Sequence, residues 1–252
     1  MGLVTMSKYD GLTGILILAH PDDEVFIINY LGKLKVSHTI YLTNGVRSGA
    51  KYSGEIRRLE AEESWQIIDP NVRLIHFGSD HNLRDGMLHK DISKKAISQI
   101  KGIVSEVKPS FIITTLNDGS HQDHDTTFYV ARSVLPQECD LFAFPTYRSN
   151  FLFPRMFRVM KVPPGLKLGQ IKSERSIKKL ILALRIMIVY KTQIVTWVGL
   201  APGILVQMIL GSRILLIDQR AFSFQPRHFF YQERGRANVQ EVREFQDKNL
   251  EL

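Results

Sequence analysis

The chain has 252 residues, of which 44% are hydrophobic, enough for one large α/β domain with a sizeable core. Its single cysteine, Cys139, excludes an intramolecular disulfide framework and a thiolate zinc site, so any bound metal must use histidine and carboxylate ligands. The formal net charge of +8 comes from one segment, because residues 147–191 hold eleven basic residues and one acidic residue. The first ten residues lack the basic and apolar regions of a secretory signal, so secretion is not expected.

The first 145 residues alternate between predicted strands and predicted helices. Predicted strands cover residues 14–19, 39–43, 72–77, 111–116 and 141–144, and predicted helices cover 24–35, 55–68, 92–107 and 126–135. This alternation predicts a mostly parallel α/β sheet with helices on both faces. In such sheets ligands bind beyond the carboxyl ends of the strands.

The chain after residue 147 follows a different pattern, typical of a basic and apolar helical extension. Residues 155–162 predict an edge strand, and residues 171–192 predict a helix that is basic on one side. Residues 192–212 carry no charge and would span about 30 Å as a helix, but Pro202 with its neighbouring glycines is expected to break them into two short segments.

The composition of this extension disfavours a transmembrane helix, because of the expected break and the polar residues in the run, and leaves two further alternatives open. One is an interfacial segment that binds an anionic membrane surface through the basic run, and the other is a helical hairpin packed on the sheet. Nucleic-acid binding is not expected, because the basic run has no recognisable recognition fold. The expected location of the protein is the cytoplasm, with the inner face of a membrane as the alternative if the extension is interfacial.

A first polar cluster, Ala-His-Pro-Asp-Asp-Glu at residues 19–24, directly follows the first predicted strand. Unpaired acids are costly beside a buried strand, so this cluster indicates metal binding or proton chemistry. A turn in which Asp22 or Asp23 only caps the next helix would explain one carboxylate but not His20.

A second polar cluster, His-Gln-Asp-His-Asp at residues 121–125, follows the predicted strand 111–116. Two clusters at strand ends predict one shared metal site. His20, Asp23 and His124 would supply two imidazoles and one carboxylate and leave an open position for water, as in catalytic zinc sites. Iron(II) or another divalent metal accepts the same ligands. The other polar residues of the clusters are available for acid, base and supporting roles: Asp22, Glu24, His121, Asp123 and Asp125.

These motifs resemble those of the N-acetylglucosaminyl-phosphatidylinositol de-N-acetylase family, also called LmbE-like or PIG-L deacetylases. Residues 19–24 match its Ala-His-Pro-Asp-Asp-Glu signature at every position, and residues 121–124 match its His-x-Asp-His signature, with Gln122 where proline is usual. Weaker similarities lie at residues 43–45, 57–60 and 190–193. The resemblance implies a Rossmann-like fold and a single LmbE-like domain over residues 1–252, with a core of about 10–145.

The resemblance also implies an activity and the residues that carry it. The activity is zinc-dependent removal of the acetyl group from an N-acetylglucosamine-type amino sugar on a lipid- or nucleotide-linked glycoconjugate. The implied metal ligands are His20, Asp23 and His124. Asp22 is then the general base, His121 stabilises the oxyanion or protonates the leaving amine, and Asp123 orients an imidazole. Substrate contacts are implied for Asn44, Arg57 and Arg58, although both arginines also suit a solvated helix face.

Two hypotheses from other functional classes remain. A catalytically inactive sugar- or nucleotide-binding module is disfavoured, because binding alone needs neither Asp22 nor His121 in their catalytic roles. The dinucleotide fingerprint Gly-x-Gly-x-x-Gly is also absent after the first predicted strand. A peripheral membrane adaptor that uses residues 147–212 would leave both polar clusters unexplained.

Overall fold

The computed structural model describes residues 6–148, 158–160, 162, 169–173, 175–217 and 229–249. Its strands are β1 (Thr13–Leu18), β2 (Lys35–Tyr41), β3 (Arg73–Ile75), β4 (Phe111–Thr115), β5 (Asp140–Phe144), β6 (Tyr147–Arg148), β7 (Arg158–Val159), β8 (Gly169–Lys172) and β9 (Arg213–Ile217). Its α-helices are α1 (Gly54–Ile68), α2 (Phe77–Asp80), α3 (Leu88–Asp91), α4 (Lys94–Val107), α5 (Gln122–Ser133), α6 (Ile177–Val189), α7 (Ile194–Leu210), α8 (Phe230–Glu233) and α9 (Val239–Asn249). Short 3₁₀ helices cover Met6–Tyr9, Asp23–Ile27 and Lys191–Gln193.

A seven-stranded sheet in the order β3-β2-β1-β4-β5-β9-β8 forms the centre of the fold. The first five of these strands are parallel, and β9 then pairs antiparallel with both β5 and β8. Successive residues of β1 are buried on opposite faces, with Leu16 in the cluster that contains α6 and α7 and Ile17 in the cluster that contains α4 and α5. The predicted mostly parallel sheet with helices on both faces is therefore confirmed.

The structure differs from two of the predicted helices, both next to a polar cluster. In place of a helix over 24–35 there is only the 3₁₀ helix Asp23–Ile27, at whose start the carboxylates of Asp23 and Glu24 accept the backbone N–H groups of His20 and Asp22. Helix α5 begins at Gln122 rather than near residue 126, with His121 as its N-cap. The polar residues of the second cluster therefore form the first turn of a helix, although their composition is typical of a loop.

The chain after residue 147 forms the predicted helical extension, in helices α6 to α9, and also contributes two strands, β8 and β9, to the sheet. The predicted helix 171–192 begins only at Ile177, because residues 169–172 pair with β9. Helix α7 continues through Pro202, contrary to the predicted break. Pro202 lies on the exposed side of α7, where the carbonyl group that loses its hydrogen bond remains accessible to water. Of the predicted edge strand 155–162, β7 is observed, and residues 155–157 and 161 lie outside the described residues.

Gly14 is required where β1 and β4 lie closest together. A Cβ atom at this position would lie 2.6 Å from the carbonyl oxygen of Phe111 and still closer to its ring. We therefore expect Gly14→Ala to lower the free energy of unfolding by about 1–3 kcal/mol, measured by urea denaturation. The matched control is Gly102→Ala in α4, where a Cβ meets no atom within 4 Å, and a gain of about 0.5–1 kcal/mol is expected. Equal effects of the two substitutions would contradict the close approach of the strands.

Candidate active site

The two polar clusters lie side by side at the carboxyl edge of the sheet. Residues 19–24 follow β1, residues 121–125 follow β4, and these two strands are parallel neighbours. The rings of His20 and His124 are consequently 5.2 Å apart between centroids, and those of His20 and His121 are 4.9 Å apart. The clusters are thus brought into contact by the pairing of the strands that precede them.

His20, Asp23 and His124 form a compact group in which the candidate ligand atoms all lie within 4.8 Å of one another. His124 Nε2 is 3.2 Å from Asp23 Oδ1, and His20 Nδ1 is 3.7 Å from Asp23 Oδ2. Burial alone would raise the pKa of Asp23, but His124 and His20 outweigh it and hold the pKa well below its usual range. Asp23 is therefore an ionised carboxylate between two imidazoles.

The surroundings of His124 test whether this group suits a metal. Its Nε2 atom is buried and makes no hydrogen bond to the described residues, although it lies beside the Asp23 carboxylate. Its other ring nitrogen, Nδ1, is 3.1 Å from Thr146 Oγ1, which fixes the orientation of the ring. A buried ring nitrogen that makes no hydrogen bond and faces a carboxylate oxygen 3.2 Å away can bind a cation together with that oxygen. The donor set therefore fits a divalent metal such as zinc.

Asp22 is held in a strained backbone conformation that turns its side chain away from the helix it precedes. Its φ of 113° is in the left-handed region, which costs a non-glycine residue roughly 1–3 kcal/mol. Its side chain makes no capping hydrogen bond and instead accepts one from Arg57 Nη2 at 2.8 Å. The capping-only interpretation is therefore wrong for Asp22. Burial raises the pKa of Asp22 to about 7, although Arg57 opposes the rise.

The three predicted substrate-binding residues lie in three different environments. Arg57 is buried behind Asp22, where it also donates to Glu60 at 3.1 Å and to Thr192 at 3.0 Å. Arg58 lies on the exposed side of α1 and pairs with Glu62, as on a solvated helix face. The Asn44 side chain accepts the backbone N–H of Val46 at 2.9 Å, a local turn contact. Of these three residues, Arg57 is the one that the structure places in hydrogen-bond contact with a residue of the polar clusters.

His121 is in a neutral form whose ring proton points toward the cluster. Its Nδ1 atom accepts the backbone N–H of Asp123 at 3.3 Å, so the proton resides on Nε2. Burial lowers the pKa of His121 to about 3, consistent with this neutral state. Nε2 lies 3.7 Å from Asp85 Oδ1, at a position where it can donate a hydrogen bond to a ligand.

Asp123 orients His20 rather than His121. Its Oδ2 atom lies 3.0 Å from His20 Nε2 and also accepts the N–H of Gly86, while Oδ1 accepts the N–H of Leu88 at 3.1 Å. This arrangement leaves His20 Nδ1 facing Asp23. The prediction that Asp123 orients an imidazole thus has a specific geometric counterpart in the structure.

Two parts of the site carry no clear signal in the sequence. Asp85, in the loop after α2, lies 3.3 Å from His20 Nε2 and forms a second group of metal-ligating atoms with His20, His121 and Asp123. No motif or spacing indicates it. Tyr190 is predicted from the sequence to be an ordinary helix-surface residue. Only the weak family similarity of residues 190–193 distinguishes it.

Tyr190 is in fact fully buried and belongs to a network that supports Asp22. Its hydroxyl donates to Glu24, which also accepts from Ser64 at 2.8 Å and Tyr41 at 3.1 Å. Glu24 in turn accepts the backbone N–H of Asp22 at 3.1 Å. This buried carboxylate therefore connects the α6–α7 junction to the strained residue in the first cluster.

Comparison with known proteins identifies a family model and a group of similar folds. Residues 15–135 match the family model described as PIG-L: GlcNAc-PI de-N-acetylase. The fold is similar to N,N'-diacetylchitobiose deacetylase from Pyrococcus horikoshii, with a TM-score of 0.61 and 16% identity over 87% of this chain and 89% of that chain. It is also similar to the A40926 pseudoaglycone deacetylase, with a TM-score of 0.56 and 16% identity over 84% of this chain and 99% of that chain.

A third similar structure is a zinc-inhibited form of teicoplanin deacetylase, with a TM-score of 0.55 and 14% identity over 82% of this chain and 99% of that chain. At these identities the structural likeness shows the fold. A search of curated proteins finds no match.

Proposed function

Because the chain carries a PIG-L family domain over residues 15–135, we propose that it is a metal-dependent hydrolase that removes the N-acetyl group from an amino sugar. The observation that carries the proposal is Asp22, a partly exposed carboxylate held by Arg57 next to the group formed by His20, Asp23 and His124. The proposed substrate is an N-acetylglucosamine-type glycoconjugate with a lipid or nucleotide aglycone. The names of two similar structures, which refer to N,N'-diacetylchitobiose and to the A40926 pseudoaglycone as deacetylase substrates, support this class.

The proposed metal ligands are His20, Asp23 and His124, with zinc as the preferred ion and iron(II) as the alternative. A divalent ion supplies a Lewis acid for the amide carbonyl and makes water a better nucleophile near neutral pH. Asp123 and Thr146 hold the two imidazoles in the orientation this needs.

The remaining steps use the side chains of this chain. Asp22 removes a proton from the attacking water, and its ion pair with Arg57 keeps the carboxylate directed at that position. The neutral His121 donates its Nε2 proton in a hydrogen bond to the amide oxygen as negative charge develops there. The C–N bond then breaks, and the proton held by Asp22 passes to the leaving amine, which yields acetate and a free amino sugar.

The experiment that tests the proposed function is metal analysis of the purified protein combined with an acetate-release screen. The substrates are N-acetylglucosaminyl-phosphatidylinositol, a nucleotide-linked N-acetylglucosamine and N,N'-diacetylchitobiose. We expect about one equivalent of divalent metal and acetate release from at least one conjugate. Sugar binding without acetate release from any conjugate would favour the inactive binding module instead.

The role of His121 predicts a specific kinetic effect. We expect His121→Ala to lower kcat by roughly 10²–10³-fold with metal content unchanged, because it removes a hydrogen-bond donor to the oxyanion. The loss should be the same for an N-acetyl sugar and an acetylated aniline, whose leaving group needs less protonation. A much smaller loss for the aniline would identify His121 as the proton donor. The control is His81→Gln, which alters a histidine outside both clusters and should leave kcat unchanged.

A further inference from the structure

Helices α6 and α7 expose two continuous apolar stripes, which we define together as the α6–α7 face. The α6 stripe consists of Ile177, Ile181, Leu184 and Ile188, and the α7 stripe consists of Val195, Val198, Pro202, Val206 and Ile209. The spacing of three and four residues puts each set on one side of its helix. Exposure reaches 85% for Val195 and 75% for Val198. Contiguous apolar surface of this kind marks an interaction site.

The opposite side of α7 is packed in the protein core. Trp197, Leu200, Ile204 and Met208 are all less than 5% exposed and belong to the cluster on one face of the sheet. The helix is therefore apolar on both sides, yet the described residues cover only one of them. A helix that is hydrophobic all round is covered by other parts of a protein or by lipid.

The charges beside the exposed stripes favour an anionic surface. Residues 169–217 contain seven basic residues and one acidic residue. Lys178 and Arg185 lie next to stripe residues of α6, and both are exposed. Lys191 is exposed at the start of the 3₁₀ helix that leads into α7. Apolar side chains flanked by lysine and arginine match a bilayer with anionic head groups.

The ends of α7 determine how it can meet a membrane. Within the described residues, one helix, Lys191–Leu210, is long and apolar enough to cross a bilayer by length and composition. Its start is held by Thr192, whose N–H donates to Glu60 at 2.8 Å. Its end is held at Ser212, whose carbonyl accepts the Ser173 N–H at 2.9 Å. Because both ends are attached to the body of the protein, α7 lies along the surface and does not cross the membrane.

The beginning of α7 is also attached to the candidate active site. Gln193 donates to the Tyr52 hydroxyl at 3.0 Å, and Thr192 contacts Arg57, the partner of Asp22. Docking of the adjacent Val195 would therefore bring the rim of the site close to the lipid head groups.

We propose that the α6–α7 face docks in the plane of an anionic bilayer, with the valines and isoleucines inserted and the basic residues at the head groups. The inference rests on the exposed stripes and their charges and does not depend on the proposed reaction. The two proposals can therefore fail independently. A protein that deacetylates soluble sugars but does not bind vesicles would contradict membrane docking alone, and a protein that binds vesicles but releases no acetate would contradict the proposed reaction alone.

The first test is co-sedimentation of the full chain with vesicles of phosphatidylcholine alone and of phosphatidylcholine with phosphatidylglycerol. Binding should be stronger to the anionic vesicles, and 1 M salt should weaken but not abolish it, because salt screens charges but not apolar insertion. The double variant Lys178→Gln/Arg185→Gln should lose roughly fivefold in partitioning per residue at low salt and little at high salt. Protein that remains in the supernatant under every condition would overturn the proposal.

The second test separates insertion from charge. Val195→Asp/Val198→Asp should lower the salt-resistant partitioning at least about tenfold, because a charge opposes insertion into hydrocarbon. The matched control is Leu12→Asp, at the amino end of β1 on the opposite edge of the sheet, which should bind like the unaltered chain. Trp197, the aromatic residue of α7, is unsuitable as a target because it is buried in the core. Unchanged thermal unfolding establishes that the variants are folded.

The alternative occupant of the α6–α7 face is a second copy of the chain. Analytical ultracentrifugation without lipid should show a monomer, and Val198→Trp should show a blue-shifted, bromolipid-quenched emission component with anionic vesicles. A lipid-free dimer that the aspartate variants dissociate, without vesicle-dependent quenching, would overturn membrane docking and assign this face to self-association.

Discussion

Asp22→Asn is expected to keep the bound metal and to lower turnover by roughly 10²–10⁴-fold. An amide of the same shape cannot take a proton from water. Asparagine tolerates the left-handed backbone that Asp22 adopts, and Arg57 keeps its hydrogen bond to Glu60, so the variant should remain folded. The measurements are kcat for acetate release, metal content and thermal unfolding.

The matched control for Asp22→Asn is Asp10→Asn, an exposed carboxylate near the amino end of β1, which should leave kcat unchanged. An active Asp22→Asn variant would transfer the role of base to another carboxylate of the clusters. Glu24 and Asp125 are the alternatives. Glu24 is occupied by hydrogen bonds from Ser64 and Tyr41, and Asp125 accepts the backbone N–H of Gly119 at 3.1 Å. Both of these residues are at most 1% exposed, whereas the Asp22 side chain is 16% exposed and can reach a water molecule, so we expect Asp22 to be the base.

His124→Ala is expected to weaken metal binding by more than about 100-fold and to abolish acetate release at ordinary metal concentrations. It removes one of three proposed ligands, whereas even residues that only orient a ligand contribute about 10–100-fold to metal affinity. Metal content by elemental analysis and zinc affinity by competition with a chelator measure the effect, with circular dichroism to establish the fold.

The graded comparison for this prediction is Thr146→Val, which removes the contact to His124 Nδ1 but keeps the imidazole. Zinc affinity should fall about 10–100-fold, which is less than for His124→Ala. Full metal occupancy in His124→Ala would contradict the proposed ligand set. Metal would then have to bind through the second group, which His20 forms with Asp85, His121 and Asp123.

The C-terminal third shows the limit of composition as a guide to structure. The uncharged run of residues 192–212, with Pro202 in its middle, predicts a helix that is interrupted. Helix α7 is nevertheless continuous, because its core-facing side packs against the sheet and its proline faces outward. Strands β8 and β9 are short, and their place in the sheet depends on the pairing of β9 with β5, which is distant in sequence, and of β8 with β9. Short apolar runs of this kind are ambiguous between helix and strand until a partner strand is known.

The sequence by itself determined the features that depend on local patterns. The apolar runs at residues 14–18 and 111–116 specify buried strands. Parallel pairing of such strands brings the polar clusters that follow them to one edge of the sheet. For this reason the proximity of His20, Asp23 and His124 could be predicted from their positions after those strands. The helical spacing of apolar residues likewise predicted the helix that carries Arg57 and Arg58.

The tertiary structure alone decided which side chains within those elements meet. Arg57 faces Asp22 while its neighbour Arg58 faces solvent, because residues 190–193 pack beside α1 and supply Thr192. Asp85 and Tyr190 reach the site from segments distant in sequence from both clusters. Contacts between distant segments depend on how helices and loops pack against the sheet, and helical or strand periodicity specifies only which face of an element is apolar.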